Sequence, residues 1–488
     1  MRLLWALLCG AAALLWLRPA GTSLWLDETV TYWMASDSLD TLLARGREFS
    51  GGNPFYYMFP WASLKLFGVS ELALRLPSLL AMGVATLLVA AIARRLFDRE
   101  TGVLAALVFA LHQLIQFEAR NARTYAIGVC FAAAATLALL RWLERPNWKR
   151  ALVYGLLAGC VFATHFLFAG LVLVHGIIAV LWMAMRATPA RIGALLLLGL
   201  FTAIGVAPSL GLFLSLHDRG DVLIVLGVPH VEDLTRVLAP TATLTAAMCA
   251  LVLLGLFGKL RRDGNAPTLP RATLVASAAL FFLPPIAVFL ISRFTPTHIF
   301  IPRYFAYHVI GGALLGGWAW RQIESARART IVACVLVLLA CGAYTTRRHH
   351  NNEWKGIAIA VNEALAKMPG APVLANTGLI EAKDTAWLSD PHRAAYLLAP
   401  FSFYPLLNGH ELRALPWSAH SDMAQTYLDE QARWLDANHD SFVLVSRDSS
   451  EPGFWPWFRG RMRPLGWKDH RLEGTFGNLI AVTFERQR

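Results

Sequence analysis

Residues 192–214 read IGALLLLGLFTAIGVAPSLGLFL, 23 positions without a charge. A run of that length falls among the roughly 17–25 apolar residues that cross a bilayer as a helix. Comparable segments lie before it at 3–18, 55–67, 76–93, 102–117, 124–140, 151–166 and 167–185, and after it at 241–258, 272–292, 303–320 and 330–344. The 488 residues are 56% hydrophobic, with a mean hydropathy of +0.48, too apolar for a soluble enzyme. Only helices and closed barrels satisfy the backbone in lipid. Runs of helix length exclude the barrel, so the expected fold is a polytopic α-helical membrane protein. The first run, followed by Arg18 and Pro19 with no small-x-small site, reads as an uncleaved span rather than a signal peptide.

One segment is short: 55–67 gives about 20 Å of helix against a hydrocarbon core of about 30 Å. Charge decides its role. If it does not cross and the N-terminus is cytoplasmic, the cytoplasmic loops are 94–101, 141–150, 186–191, 259–271 and 321–329, with 16 Lys and Arg. The opposite loops, 118–123, 215–240 and 293–302, hold five. A crossing at 55–67 would invert this bias against the positive-inside rule. The expectation is eleven spans, with Asp27, Glu118, the 293–302 loop and the C-terminal region on the non-cytoplasmic side.

Composition changes near residue 345. Residues 345–488 hold 16 basic and 16 acidic side chains, so the net charge of +12 belongs to the apolar part. It reflects loop bias, not nucleic-acid binding. Two domains are expected: a transmembrane domain over 1–344, with a catalytic loop at 19–75 between spans one and two, and an extracytoplasmic α/β domain over 345–488. In the latter, 354–367 and 421–437 read as helices and 373–375, 441–446 and 479–484 as strands. The six cysteines all lie in apolar segments and form no disulfide or metal pattern.

Several polar groups stand where burial demands a reason. Asp27 and Glu28 follow the first span, in LWLDETVTY (24–32). They can serve as a general base with a supporting carboxylate, or Asp27 can simply cap a helix. Asn53-Pro54-Phe55-Tyr56-Tyr57 can open an interfacial helix anchored by its aromatics. Glu118, Arg120, Asn121 and Arg123 crowd one short turn, where Arg123 either bridges to Glu118 or meets phosphate. His298, Arg303 and Tyr304 close the set; an arginine there can snorkel to headgroups or hold a lipid phosphate. His165 falls at the same end, while His112, inside a span, reads as a packed polar residue. No G-x-x-x-x-G-K-[ST], H-E-x-x-H or strand–G-x-G-x-x-G–helix unit occurs, which argues against a nucleotide or nucleotide-sugar site.

The order WLDE (25–28), NPFYY (53–57), LKLFGVSELALRLPSLLA (64–81), ARRLFDRETGVLAAL (93–107), EARNARTYA (118–126) and PRY (302–304) resembles the membrane glycosyltransferases of the GT-C class. Within that class it is similar to the protein mannosyltransferase / glycosyltransferase family 39 group, which has the lipid A aminoarabinose transferase as a relative. The resemblance covers residues 20–345, and the C-terminal region only in general character. It implies a sugar donor on a polyprenyl phosphate, Asp27 as catalytic carboxylate with Glu28 beside it, and Arg303, Tyr304, Arg123 and Arg120 at the donor phosphate. Glu118, Asn121, Asn53, Tyr56, Tyr57 and His298 would line the acceptor side. The chain departs from the family pattern at three positions, one of them Phe55, which stands where a second proline is usual. Asn53 stands where a histidine is usual, and Asn121 where a glutamate is usual, which Glu118 replaces only if the turn is helical. No cofactor is fixed; Asp27, Glu28 or Glu118 would be the ligands if a divalent cation, Mg2+ or Mn2+, takes part.

The activity this implies is inverting transfer of a sugar to an envelope acceptor (protein, lipid or glycan) at the outer side of a bacterial inner membrane. The lipid bilayer, the lipid-linked donor and that acceptor would be the partners. The rival expectation, a lipid-linked sugar flippase, would favour charged groups at the bilayer midplane and an internal repeat. The sequence has few of the first and none of the second.

Overall fold

The computed structural model describes residues 1–49, 53–217, 227–239, 264–344, 352–447 and 453–487. The expected span at 241–258, Cys249 and the Gly51–Gly52 approach lie outside the described residues. The chain divides into two compact units: Met1–Gly21 with Asp40–Arg347, and Thr22–Leu39 with Arg348–Arg488. One division falls after Arg347, and Thr22–Leu39, expected with the spans, groups with the C-terminal residues.

The first unit is helical. Among the described residues six helices are long and apolar enough to cross a membrane: Arg2–Gly21, Glu71–Leu96, Tyr125–Glu144, Phe166–Ala184, Ile192–Leu214 and Arg271–Phe294. The expected span at 102–117 is a bent pair, Arg99–Leu111 and Gln113–Ala119, meeting at 72°. The helices Trp148–Thr164 and His308–Arg321 are shorter, at 17 and 14 residues. Alanine and glycine let these helices approach closely. A Cβ on Gly317 would sit 2.7 Å from the Ala105 backbone, so only hydrogen fits between the two helices there.

The loops sort to two ends. Arg95 pairs with Glu144, Arg321 with Asp98 at 3.0 Å and Arg329 with Glu100 at 2.7 Å. Trp182 Nε1 donates to the Ala272 carbonyl at 2.9 Å, and Trp318 Nε1 to that of Pro267 at 3.0 Å. These contacts tie together the basic loops read from the sequence as one side. The short segment forms the helix Met58–Phe67, about 15 Å long at 1.5 Å per residue. It packs on the opposite end of Glu71–Leu96, where Ser63 Oγ donates to the Ala73 carbonyl at 2.6 Å.

The second unit is built on a five-stranded sheet, ordered β2-β1-β3-β5-β4. Its strands are β1 Val373–Ala375, β2 Leu412–Ala414, β3 Ser441–Arg447, β4 Trp467–Arg471 and β5 Leu479–Arg486. β1 runs parallel to β2 and β3, while β5 is antiparallel to β3 and β4. β3 and β5 are buried almost throughout, and Phe442 stacks on Phe484 at 4.5 Å across them. The helices Trp354–Leu365 and Asp422–Asn438 fall where helical spacing expected them; Ser421 Oγ accepts the Ala424 N–H at 3.2 Å as N-cap. Two strands went unread. β2 has only three residues, and β4, WKDHR, is polar because its surface is mostly exposed.

Candidate active site

The carboxylate pair belongs to the second unit. The chain arrives extended at Trp25, which is the N-cap of the helix Leu26–Ala35. Glu28 is fully buried and its Oε2 accepts the Trp25 N–H at 3.2 Å. The capping task therefore falls to Glu28, not to Asp27. Asp27 is half-buried in the first turn, where the unsatisfied N–H groups of the helix favour negative charge. The helix is clamped by residues 332 to 380 positions away. The Tyr404 hydroxyl accepts the Leu24 N–H at 2.9 Å, Lys355 N–H donates to Ser23 Oγ at 3.1 Å, and Trp33 meets Tyr396 edge-on at 5.4 Å.

The arginine and tyrosine candidates belong to the first unit, where Arg303, Arg123 and Tyr304 converge with Tyr125 and His165. The Arg303 guanidinium lies 5.4 Å from the Tyr125 ring and 6.0 Å from Tyr304. His165 stands 5.0 Å from Tyr304 and 5.3 Å from Tyr125, ring to ring. Arg123 and Glu118 lie within electrostatic range of the Tyr125 hydroxyl, and Arg123 and Arg303 within range of His165. Arg303, held beside two aromatic rings, and Arg123, in electrostatic range of the same groups, can hold an oxyanion, since a guanidinium stacks on rings while its fork binds bidentately.

Glu118 and Asn121 form a hydrogen-bonded pair. Gln113–Ala119 is helical, and Asn121 Nδ2 donates to Glu118 Oε2 at 2.9 Å with both side chains buried. Arg120 turns elsewhere. Its Nη1 donates to the Leu15 carbonyl at 3.5 Å, and it lines a cavity of about 750 Å³ with His112, His308, Asp233 and Arg236. Asn53 Oδ1 accepts the Phe55 N–H at 3.0 Å, closing the turn before the short helix, and Tyr56 and Tyr57 are buried against each other at 5.1 Å. His298 Nδ1 binds the Ser292 carbonyl at 2.9 Å, finishing the Arg271–Phe294 helix. These last four have structural tasks of their own.

A divalent cation needs several oxygen ligands. Among the described residues no three His, Cys, Asp or Glu side chains converge as a metal site. Glu28 is committed to a backbone N–H and Glu118 to Asn121.

Residues 52–211 match the family model of the dolichyl-phosphate-mannose-protein mannosyltransferases. Curated proteins gave no sequence match. Among solved structures, ArnT from Cupriavidus metallidurans in the apo state is similar with a TM-score of 0.63 at 12% identity, over 98% of this chain and 97% of that one. The same protein bound to undecaprenyl phosphate gives 0.61 at 12% identity over the same shares. The arabinofuranosyltransferase AftD from Mycobacteria gives 0.51 at 15% identity, over 100% of this chain but 40% of AftD. The recognisable family segment thus ends within the helical unit, while the shared fold extends over both. With its apolar helices the chain is a multi-pass membrane protein; it shares the fold of ArnT, and residues 52–211 carry the match to the mannosyltransferase family model.

Proposed function

We propose that the chain is an inverting glycosyltransferase that moves a sugar from a polyprenyl-phosphate donor to an envelope acceptor at the outer face of a bacterial inner membrane. The observation that carries this reading is the cluster of Arg303, Arg123, Tyr304, Tyr125 and His165 in a fold shared with a protein solved with undecaprenyl phosphate. Asp27 takes the proton of the acceptor hydroxyl. The acceptor oxygen forms its bond to the anomeric carbon as the bond from that carbon to the phosphate oxygen breaks. The electron pair leaves on the phosphate, where Arg303 and Arg123 neutralise it. One displacement with one base inverts the anomeric carbon. The chain crosses eleven times with its N-terminus in the cytoplasm, which puts the C-terminal residues outside.

The test uses purified protein in detergent, labelled undecaprenyl-phosphate sugars and an envelope extract as acceptor. Asp27→Asn should abolish transfer while keeping the wild-type melting temperature. Arg303→Ala should lower turnover about 100-fold, the loss typical of one charge-stabilising donor. Full activity in Asp27→Asn would sink the assignment of the base. Label that crosses vesicle membranes without being transferred would identify a flippase instead.

A further inference from the structure

The sheet of the second unit has a place where its connections part. From β1 the chain leaves toward β2 on one side; from β3 it leaves toward β4 and β5 on the other. Open α/β sheets bind ligands at such points, outside the carboxyl ends of the strands. Asn376, Thr377 and Gly378 follow β1 here, and Arg447 ends β3. Asn376 and Thr377 are committed. Asn376 Nδ2 donates to the Pro416 carbonyl at 2.6 Å, and Thr377 Oγ1 to that of Leu397 at 2.7 Å.

Arg447 is not committed in that way. Its Nε is buried without a hydrogen-bond partner, and among the described residues no carboxylate forms an ion pair with it. The side chain lies against bare backbone at Gly378, whose φ is +83°. A Cβ on Gly378 would stand 2.5 Å from Arg447 Nη1 and 3.1 Å from Cζ, so this guanidinium position requires glycine. The carboxylate that acts on it, short of contact, is Asp27. Burial lowers the guanidinium below its ordinary pKa and Asp27 works against that, which keeps the cation in place.

We propose that Arg447 is an anion-binding residue that holds a phosphate or carboxylate group of a substrate on the side of its guanidinium away from Asp27. The proposal rests on the reading of Asp27 as the base. A half-buried guanidinium without a carboxylate at contact distance is best satisfied by a planar or tetrahedral oxyanion that takes two of its donors. Repulsion from Asp27 places that oxyanion on the far side of the guanidinium. The arginine then spaces the bound anion from the carboxylate and leaves the reacting hydroxyl on the Asp27 side. The anion can belong to the acceptor or to the lipid donor.

The experiment reads binding by full-length protein in detergent, with inorganic phosphate and undecaprenyl phosphate as separate probes. Arg447→Ala should raise Kd for at least one probe tenfold or more, and Arg447→Lys should recover part of the loss. Gly378→Ala should weaken the same probe although it removes no charge. Loss of inorganic phosphate alone assigns the anion to a soluble or acceptor group; loss of undecaprenyl phosphate assigns it to the donor. Wild-type affinity for both probes in folded Arg447→Lys and Gly378→Ala overturns the proposal, even if Arg447→Ala fails to fold. Because turnover is not read, an active Asp27→Asn would sink the base and leave this result standing.

Discussion

Asp27 and Glu28 are adjacent yet do different work, and the difference is set by where the helix begins. Trp25 is the N-cap, so the third residue of the helix, Glu28, reaches back to its N–H, and Asp27 stays in the first turn. A sharper case of environment deciding role is Asp469. Its side chain is 2% exposed and accepts N–H groups from Trp455, Arg463 and Arg459, each at 2.9 Å. Burial alone would raise this carboxyl, but those donors outweigh it and hold it below its ordinary value. A carboxyl lowered by folding contributes stability above its unfolded pKa, about 4, and that contribution is lost as pH falls through the folded value. Asp469→Asn should therefore cost about 2 kcal/mol at pH 7 and much less at pH 3. Denaturant melts of the full chain at both pH values, read by tryptophan fluorescence, check this; an equal cost at both would refute the linkage. The pair at 27–28 was legible as a candidate because charge next to a span stands out. Which residue capped, and the electrostatic link from Asp27 to Arg447, were not, since both depend on backbone placement and on a strand 420 positions away.

At the scale of elements, apolar runs were legible because a span must satisfy its backbone within itself. The bend at His112 was not. Residues 102–117 carry no charge and read as one apolar run despite His112, Gln113 and Gln116, and the helix breaks because side chains take over backbone partners. Gln116 Nε2 donates to the Leu111 carbonyl at 2.7 Å, and His112 Nδ1 accepts the Leu114 N–H at 3.3 Å. Close helix contacts were also hidden in plain composition. Gly155 and Gly159, spaced as G-x-x-x-G on Trp148–Thr164, face Phe201 and Gly205 on Ile192–His217, where a Cβ would overlap backbone oxygen. Gly159→Leu should force the helices apart at a cost of about 1–3 kcal/mol, as overpacking does elsewhere. Gly176→Leu is the control, because nothing stands within 4 Å of its missing Cβ. Melting in detergent should separate the two variants. Equal melting temperatures would mean that the contact does not hold these helices together.

At the scale of the whole molecule, the chain is discontinuous in space. The charge content changes near 345, beside the division after Arg347, and a segment with 16 acidic and 16 basic residues cannot sit in lipid. No such mark separates Thr22–Leu39, which is as apolar as its surroundings and nevertheless packs with Arg348–Arg488. Its helix buries Leu26, Val30, Trp33 and Met34, and Tyr32 meets Phe403 edge-on at 4.8 Å. Without residues 348–488 these side chains would face solvent, and burial of each is worth roughly 1.5–3 kcal/mol. A chain ending at Arg347 should therefore keep its membrane helices but lose the order of the Asp27 segment. Limited proteolysis should cut it within 22–39, where the full chain resists, and transfer should fall to background. Trp33→Ala in the full chain is the milder form, expected to lower the melting temperature and activity together through lost contacts with Tyr396 and His392. If the shortened chain stays protected at 22–39 and active, the carboxylate pair does not depend on the C-terminal unit, and the grouping of these residues has no bearing on catalysis.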